Sequence, residues 1–378
     1  MVRTELEHDL LENMTMKSSI IDEDVKRIIE NDLPWYVFRG KTILITGASG
    51  MIPSYFLYTF LALNDLRGMD IKVIALVRNG DKARRVLGSM LDRDDVVLVC
   101  QDVAEPLAVD EHIDYIFHGG SAARPAQHKA SPTSTIRANL IGTFNLLDRA
   151  VRDKSDAFVL MSSSEVYGQQ LQDKNDAGAT DKDDQAAAIT ENDYGRVDTL
   201  DPRSCYSEGK RAAETICSCY NAEFGIKVLT PRFAHIYGPG LSLSDGRVQA
   251  DFAGNVVRGE DIVMNSDGSS VRAYTYVADA CAGVFYALLK GDEIAYNVAD
   301  NSSIISIKEL AEAFVASRPE KGLRVVTKAP SDDSRSYNKV KFIGLDGSRL
   351  EALGWKPEVQ VREGTARMIS HYEETGEK

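Results

Sequence analysis

Thr42-Ile43-Leu44-Ile45-Thr46-Gly47-Ala48-Ser49-Gly50-Met51-Ile52-Pro53 decides the fold. Its first five residues are β-branched or leucine, the composition of a buried strand. Two glycines three apart follow, and a mostly apolar helical run covers 52–64. A strand that closes on a glycine turn and opens directly into a helix is the context of a dinucleotide-binding loop. Glycine lets the backbone turn tightly and approach a pyrophosphate. The helix N-terminus adds free N–H groups and the positive end of the helix dipole. Gly47, Ser49, Gly50, Met51 and Ile52 are therefore the candidate cofactor loop. Pro53 stands where a third glycine is usual, and a first helical turn tolerates its missing N–H.

Outward from this stretch, strands and helices alternate. Lys72–Val77 (KVIALV), 95–100 (DVVLVC), Tyr115–His118 (YIFH) and 158–162 (FVLMS) are short apolar runs, and a helical pattern covers 135–151. Continuous apolar strands between helices imply a parallel sheet covered on both faces. That is the doubly wound α/β, or Rossmann, architecture. Three regions are expected. Residues 1–38 are an N-terminal extension, with a short amphipathic helix over 20–29 docked through Trp35 and Tyr36. Residues 39–232 are the dinucleotide-binding domain, with a polar insertion at about 169–188. Residues 233–378 are mainly a smaller substrate-binding region, ending in a helix over 361–374.

Composition narrows the function classes. The net charge of −13 is spread along 378 residues, which argues against nucleic acid or an anionic membrane as partner. No apolar run reaches the roughly 20 residues needed to span a bilayer. The acidic N-terminus lacks an apolar signal core, so the cytoplasm is the default location. The five cysteines are scattered without zinc-site spacing and read as buried free thiols. No metal site is expected.

At the end of the second strand, where a carboxylate would accept the ribose hydroxyls of NAD, stands Arg78. It could pair with the 2′-phosphate of NADP, stack on adenine, or simply be a solvated arginine. Asp102 and Val103 follow the third strand. They could meet the adenine edge, and an ordinary capping aspartate fits as well. Further along, Tyr206 and Lys210 are four apart and share a helix face. A nearby ammonium stabilises phenolate and would lower the tyrosine pKa toward the working pH, suiting it to take a proton from a hydroxyl. Upstream, Ser162-Ser163-Ser164-Glu165-Val166-Tyr167-Gly168 closes a buried strand, where ligands of open parallel sheets bind. Its serines could bond a reacting oxygen and Glu165 could act as acid or base. Turn and cap chemistry is the alternative for each.

The order glycine loop, S-x-E-V-Y-G, Y-x-x-x-K resembles the extended short-chain dehydrogenase/reductase family of sugar-nucleotide epimerases, dehydratases and decarboxylases. The resemblance covers about 41–375. It is strongest to the UDP-glucuronate decarboxylases, through 102–107 (DVAEPL), 139–147 (NLIGTFNLL), 191–195 (ENDYG), 202–211 (PRSCYSEGKR), 245–248 (DGRV) and 272–277 (RAYTYV). It implies that Tyr206 is the base for oxidation at C4. Lys210 orients the cofactor ribose and tunes Tyr206. Ser163 and Ser164 hold the C4 oxygen, and Glu165 assists at C5. It implies that Arg247 and Arg272 contact a nucleotide-diphosphate sugar, with Arg335 a further anion contact; Arg124 could meet a substrate group. Guanidinium forks suit a diphosphate. It also implies NAD as cofactor, with NADP left open by Arg78. A homodimer pairing the helices over 139–150 and 206–223 is implied as well. The expected activity is decarboxylation of UDP-glucuronate to a UDP-pentose. A 4,6-dehydratase or 4-epimerase would keep the oxidation and change the middle step. An NADP-dependent reductase, favoured by Arg78, and a non-catalytic dinucleotide-binding protein, which would not need Tyr206 and Lys210, complete the alternatives.

Overall fold

The computed structural model describes residues 16–121, 125–169, 188–328 and 342–377. Most of the expected insertion lies outside these residues. The first strands are β1 (Thr42–Thr46), β2 (Lys72–Val77), β3 (Val96–Cys100), β4 (Tyr115–His118), β5 (Ala157–Leu160), β6 (Ser162–Ser163) and β7 (Val228–Phe233). Then come β8 (His235–Tyr237), β9 (Ile262–Met264), β10 (Val271–Tyr276), β11 (Ala295–Val298), β12 (Ile304–Ser306), β13 (Val325–Thr327) and β14 (Phe342–Ile343). The large sheet runs β11-β7-β5-β4-β1-β2-β3, with β6 on β7. Its pairings are parallel, for example Ile43 opposite Val73 and Tyr115. Smaller sheets, β12-β10-β14 with β8 on β10 and β13-β9, stand beside it.

Alternation along the strands feeds two cores. Ile43 and Ile45 point to one face with Phe56, Phe60 and Phe285. Leu44 points to the other with Leu146, Leu147 and Ala213. Helices α1 (Ser19–Glu30), α2 (Met51–Arg67), α3 (Gly80–Leu87), α4 (Pro125–Ala130), α5 (Pro132–Asp153) and α6 (Cys205–Phe224) precede α7 (Val248–Arg258) and α8 (Val277–Lys290). The last are α9 (Ile307–Ala316), α10 (Ser348–Glu351) and α11 (Val361–Thr375). Helices α2 and α8 cover the first face; α5 and α6 cover the second. Both faces are thereby shielded, as the continuous apolar strands require.

Residues 16–38 are part of the first core. Ile21, Val25, Ile28 and Ile29 of α1 are buried in it. Trp35 meets Phe285 edge-on at 4.9 Å. Tyr36 is 71% exposed and takes no part, because the 3-10 turn Trp35–Phe38 directs Trp35 and Phe38 inward. The fully buried Asp24 accepts hydrogen bonds from the Tyr55 hydroxyl (2.7 Å), the Tyr276 hydroxyl (2.8 Å) and Arg367 Nη2 (2.7 Å). The large sheet also reaches past residue 232, since β11 pairs with β7. The cysteines are free, but Cys100 and Cys219 are exposed, so only Cys205, Cys217 and Cys281 match the buried reading.

Candidate active site

Strand order reverses between β1 and β4, with β2 and β3 on one side and β5, β7 and β11 on the other. Open parallel sheets bind ligands at the crevice such a reversal leaves. Two glycine loops meet there. Gly47, after β1, has φ +67°, and a Cβ on it would lie 2.7 Å from the Gly119 carbonyl oxygen after β4. A Cβ on Gly120 would lie 2.9 Å from Thr46 Oγ1; instead its N–H donates to that oxygen at 3.0 Å. Gly50 caps α2 without a side-chain bond, and Gly50 to Pro53 line the cleft. The first-turn N–H groups are thus left for an anion. This cradle, which a side chain at either loop would fill, fits the pyrophosphate of NAD. Ser49 sits half-buried within the loop.

The cleft has a volume of about 580 Å³ and is lined also by Ser163, Glu165, Tyr206 and Lys210. These groups come from different elements. Ser163 ends β6. Glu165 lies in the 3-10 turn Ser164–Tyr167, and Tyr206 and Lys210 on the first turns of α6. The Ser163 hydroxyl faces the Tyr206 phenol closely enough to favour its ionised form. Ser163 Oγ also accepts the Glu165 N–H at 3.2 Å, so it performs the turn role as well. Ser164 lines the same wall. Lys210 Nζ donates to the Met161 carbonyl at 2.6 Å and stands 5.9 Å from the Tyr206 ring centre.

The electrostatics depart from the expected tuning. Burial pushes the Tyr206 phenol up to about 12, against a smaller downward effect of the Ser163 hydroxyl. Burial also pushes the Lys210 ammonium down to about 8, and Glu214 only partly restores it. Desolvation therefore sets the direction of both shifts in the free protein, and neither residue is a cause of the other's. Glu165 is open to the cleft but recessed in it. Loss of surrounding water raises its carboxyl, while His128 and Arg203 pull the other way.

A buried network holds the motif from behind. Arg232 on β7 donates to Glu214 Oε2 (2.7 Å), the Tyr167 hydroxyl (3.0 Å) and the Glu191 carbonyl (3.0 Å). The Tyr167 hydroxyl donates to Asn297 Oδ1 at 2.6 Å, and Ser162 Oγ donates to Glu214.

The other expected residues divide. Arg247 lines the cleft, paired with Asp245. Arg272 is buried and donates to the Val271 carbonyl at 2.7 Å; the cleft-lining residues do not include it. Its guanidinium sits beside His235, which does line the cleft. Arg124 and Arg335 lie outside the described residues. At the adenosine end, Arg78 donates to Ser134 Oγ at 3.4 Å, a long bond on the surface. One Asp102 oxygen accepts the Ala104 N–H (2.9 Å), a capping role. Asp102 also lines a second cavity of about 300 Å³ with Glu105, Ser134 and Arg137. Val103 packs where Gly120 and Gly142 leave room, supporting the loop.

Sequence reasoning passed over His128, Arg203 and His235, all on the cleft wall. Arg203 lies in the quoted stretch before Tyr206 and its position was the available signal. His128 and His235 belong to no motif.

The sequence profile of the NAD dependent epimerase/dehydratase family matches residues 43–299. UDP-glucuronic acid decarboxylase 6 of Arabidopsis thaliana is 31% identical over 327 residues, 86% of this chain and 87% of that protein. UDP-glucuronic acid decarboxylase 1 of Danio rerio is 30% identical over 335 residues, 88% of this chain and 72% of that one. Among solved structures, UDP-glucose 4-epimerase of Thermotoga maritima superposes with a TM-score of 0.70 at 22% identity, over 89% of this chain and 100% of its own. UDP-glucuronic acid 4-epimerase of Bacillus cereus, in complex with UDP-glucuronic acid and NAD, gives 0.68 at 19% identity, over 88% and 99%. These structural likenesses establish the shared fold.

Proposed function

The chain belongs to the NAD-dependent epimerase/dehydratase family, and we propose that it decarboxylates UDP-glucuronate to a UDP-pentose by transient oxidation at C4. The observation that carries this reading is the convergence of Ser163, Glu165, Tyr206 and Lys210 on one cleft with the glycine cradle. The choice of substrate is supported by relatives named UDP-glucuronic acid decarboxylase that align over 86% and 88% of the chain.

Gly47, Gly50 and the first turn of α2 hold the pyrophosphate, Arg78 and Asp102 stand at the adenosine end, and Lys210 holds the nicotinamide ribose. When bound, NAD supplies a cationic ring that accepts hydride from C4 and later returns it. Tyr206 takes the C4 hydroxyl proton while Ser163 and Ser164 hold that oxygen. The resulting ketone stands β to the carboxylate. The C5–C6 bond then breaks, its electron pair passes into the C4 oxygen as an enolate, and CO2 leaves. A proton reaches C5 from the side of Glu165. Tyr206 returns its proton to the C4 oxygen on reduction, so no external reductant is consumed. Arg247 holds the diphosphate.

The protein acts as a homodimer through α5 and α6. Phe144 and Phe224 are 46% and 51% exposed there, with Tyr220 5.3 Å from Phe224. Among the described residues no helix is long and apolar enough to cross a membrane. The cytoplasm is the proposed compartment.

Purified protein incubated with UDP-glucuronate and catalytic NAD, followed by mass spectrometry, tests the reading. Loss of the carboxyl mass is expected, and Tyr206→Phe should reduce turnover by about 10² or more. Wild-type protein that binds NAD yet leaves UDP-glucuronate intact would sink the substrate assignment. Water loss from a neutral nucleotide-hexose would then favour the dehydratase alternative.

A further inference from the structure

His128 stands on α4, beside the catalytic groups, and no motif announces it. Its imidazole lies flat against the Tyr206 ring, with centres 4.5 Å apart and planes 13° from parallel. The backbone is tied to the same place, since Cys205 Sγ, next to Tyr206, approaches the His128 carbonyl at 3.9 Å. Both rings line the cleft together with Glu165.

We propose that His128 is a positioning residue that holds the plane of the Tyr206 ring by stacking. A phenol turns about two side-chain bonds. A flat partner at stacking distance restricts that turning while leaving the hydroxyl toward Ser163. Small misplacement of a reacting group is costly to rate, so a ring clamp acts on kcat more than on binding. The same placement puts His128 first among the groups that favour the ionised form of Glu165, ahead of Arg203. Among the described residues, Glu165 from its 3-10 turn and Arg203 and Asp201 from the turn before α6 share the cleft wall with the imidazole, Tyr206 stacks on it from α6, Cys205 approaches its backbone and Lys129 follows it on α4. Helix α5 also packs on α4, and among the described residues it adds no charged group to the cleft wall.

Two substitutions test the clamp. His128→Phe keeps a flat ring against Tyr206; His128→Ala removes it. With UDP-glucuronate and NAD, the alanine variant should lose about ten-fold or more in kcat with KM within about three-fold. The phenylalanine variant should recover most of that kcat. An alanine variant with wild-type kcat, or two variants equally impaired, would overturn the proposal. The kinetic arm rests on the substrate reading above. A second measurement is independent of it: histidine-selective NMR of the full chain. The His128 ring signals should be displaced by the ring current of Tyr206, and Tyr206→Leu should abolish that displacement. His128 signals unmoved by this change would overturn the stacking claim whatever the substrate is.

Discussion

Tyr206 and Lys210 share a helix face, but proximity does not set their protonation. Lys210 is buried and Tyr206 half-buried in the cleft, and loss of water favours the neutral form of each: the phenol rises to about 12 and the ammonium falls to about 8. Tyr206 is therefore protonated in the free protein, and for it to act as a base a positive charge brought into the cleft would have to lower its pKa. Lys210 changes charge within an accessible range. If its positive charge supports turnover, kcat declines on the alkaline side with a midpoint near 8. Lys210→Arg, with a group that stays protonated, should remove that limb at some cost in kcat. A pH–rate profile of the two proteins checks this. The stability consequence has a definite sign. Between about 8 and 10.5 the unfolded chain holds a proton on this lysine that the folded chain lacks, so its contribution to stability grows as pH rises through that window.

The 3-10 turn Ser164–Tyr167 is short, and its own few hydrogen bonds do not explain its position. It is held from β7 and α6. Arg232 meets Glu214 and the Tyr167 hydroxyl, and Tyr167 in turn meets Asn297 on β11. These groups are buried or nearly so, which makes them costly to leave without partners. Arg232→Met should destabilise the fold by about 3–5 kcal/mol, because it strands the Glu214 carboxylate in the interior. Urea unfolding measures this. The double variant Arg232→Met/Glu214→Gln should recover part of the loss, and a single variant within about 0.5 kcal/mol of wild type would refute the network as a brace. The motif was legible in the sequence because its hydroxyls and carboxylate are consecutive. The brace was not, because its members lie at 167, 214, 232 and 297.

Across the whole molecule, two faces of the sheet are covered differently. The face under α2 and α8 is closed by α1, whose Asp24 reaches Tyr55, Tyr276 and Arg367. An acidic side chain amid aliphatic ones is thereby satisfied, and residues 16–38 become part of the core instead of an appendage. The other face ends in α5 and α6, where Phe144 and Phe224 stay exposed. If the proposed homodimer forms through these rings, Phe144→Asp should convert a two-chain particle into a single chain, as read by light scattering. A wild-type particle of one chain would remove the homodimer.

What the sequence by itself determined was local. The strand TILIT, its glycine turn and the start of the helix after it are twelve consecutive residues, and their reading holds without knowledge of any partner. Continuous apolar strands demanded two covered faces, and helices were the elements present to cover them. Tyr206 and Lys210 were legible because four residues make one helical turn. Tertiary structure decided what depends on distant neighbours. It buried Arg272 and tied it to the Val271 carbonyl, laid His128 flat on Tyr206, and set Asp24 against a guanidinium 343 positions away. It also inverted the expected pKa tuning. The physical reason is common to all of these: burial and contact between remote segments fix charge states and partners, and neither follows a periodic or contiguous pattern along the chain.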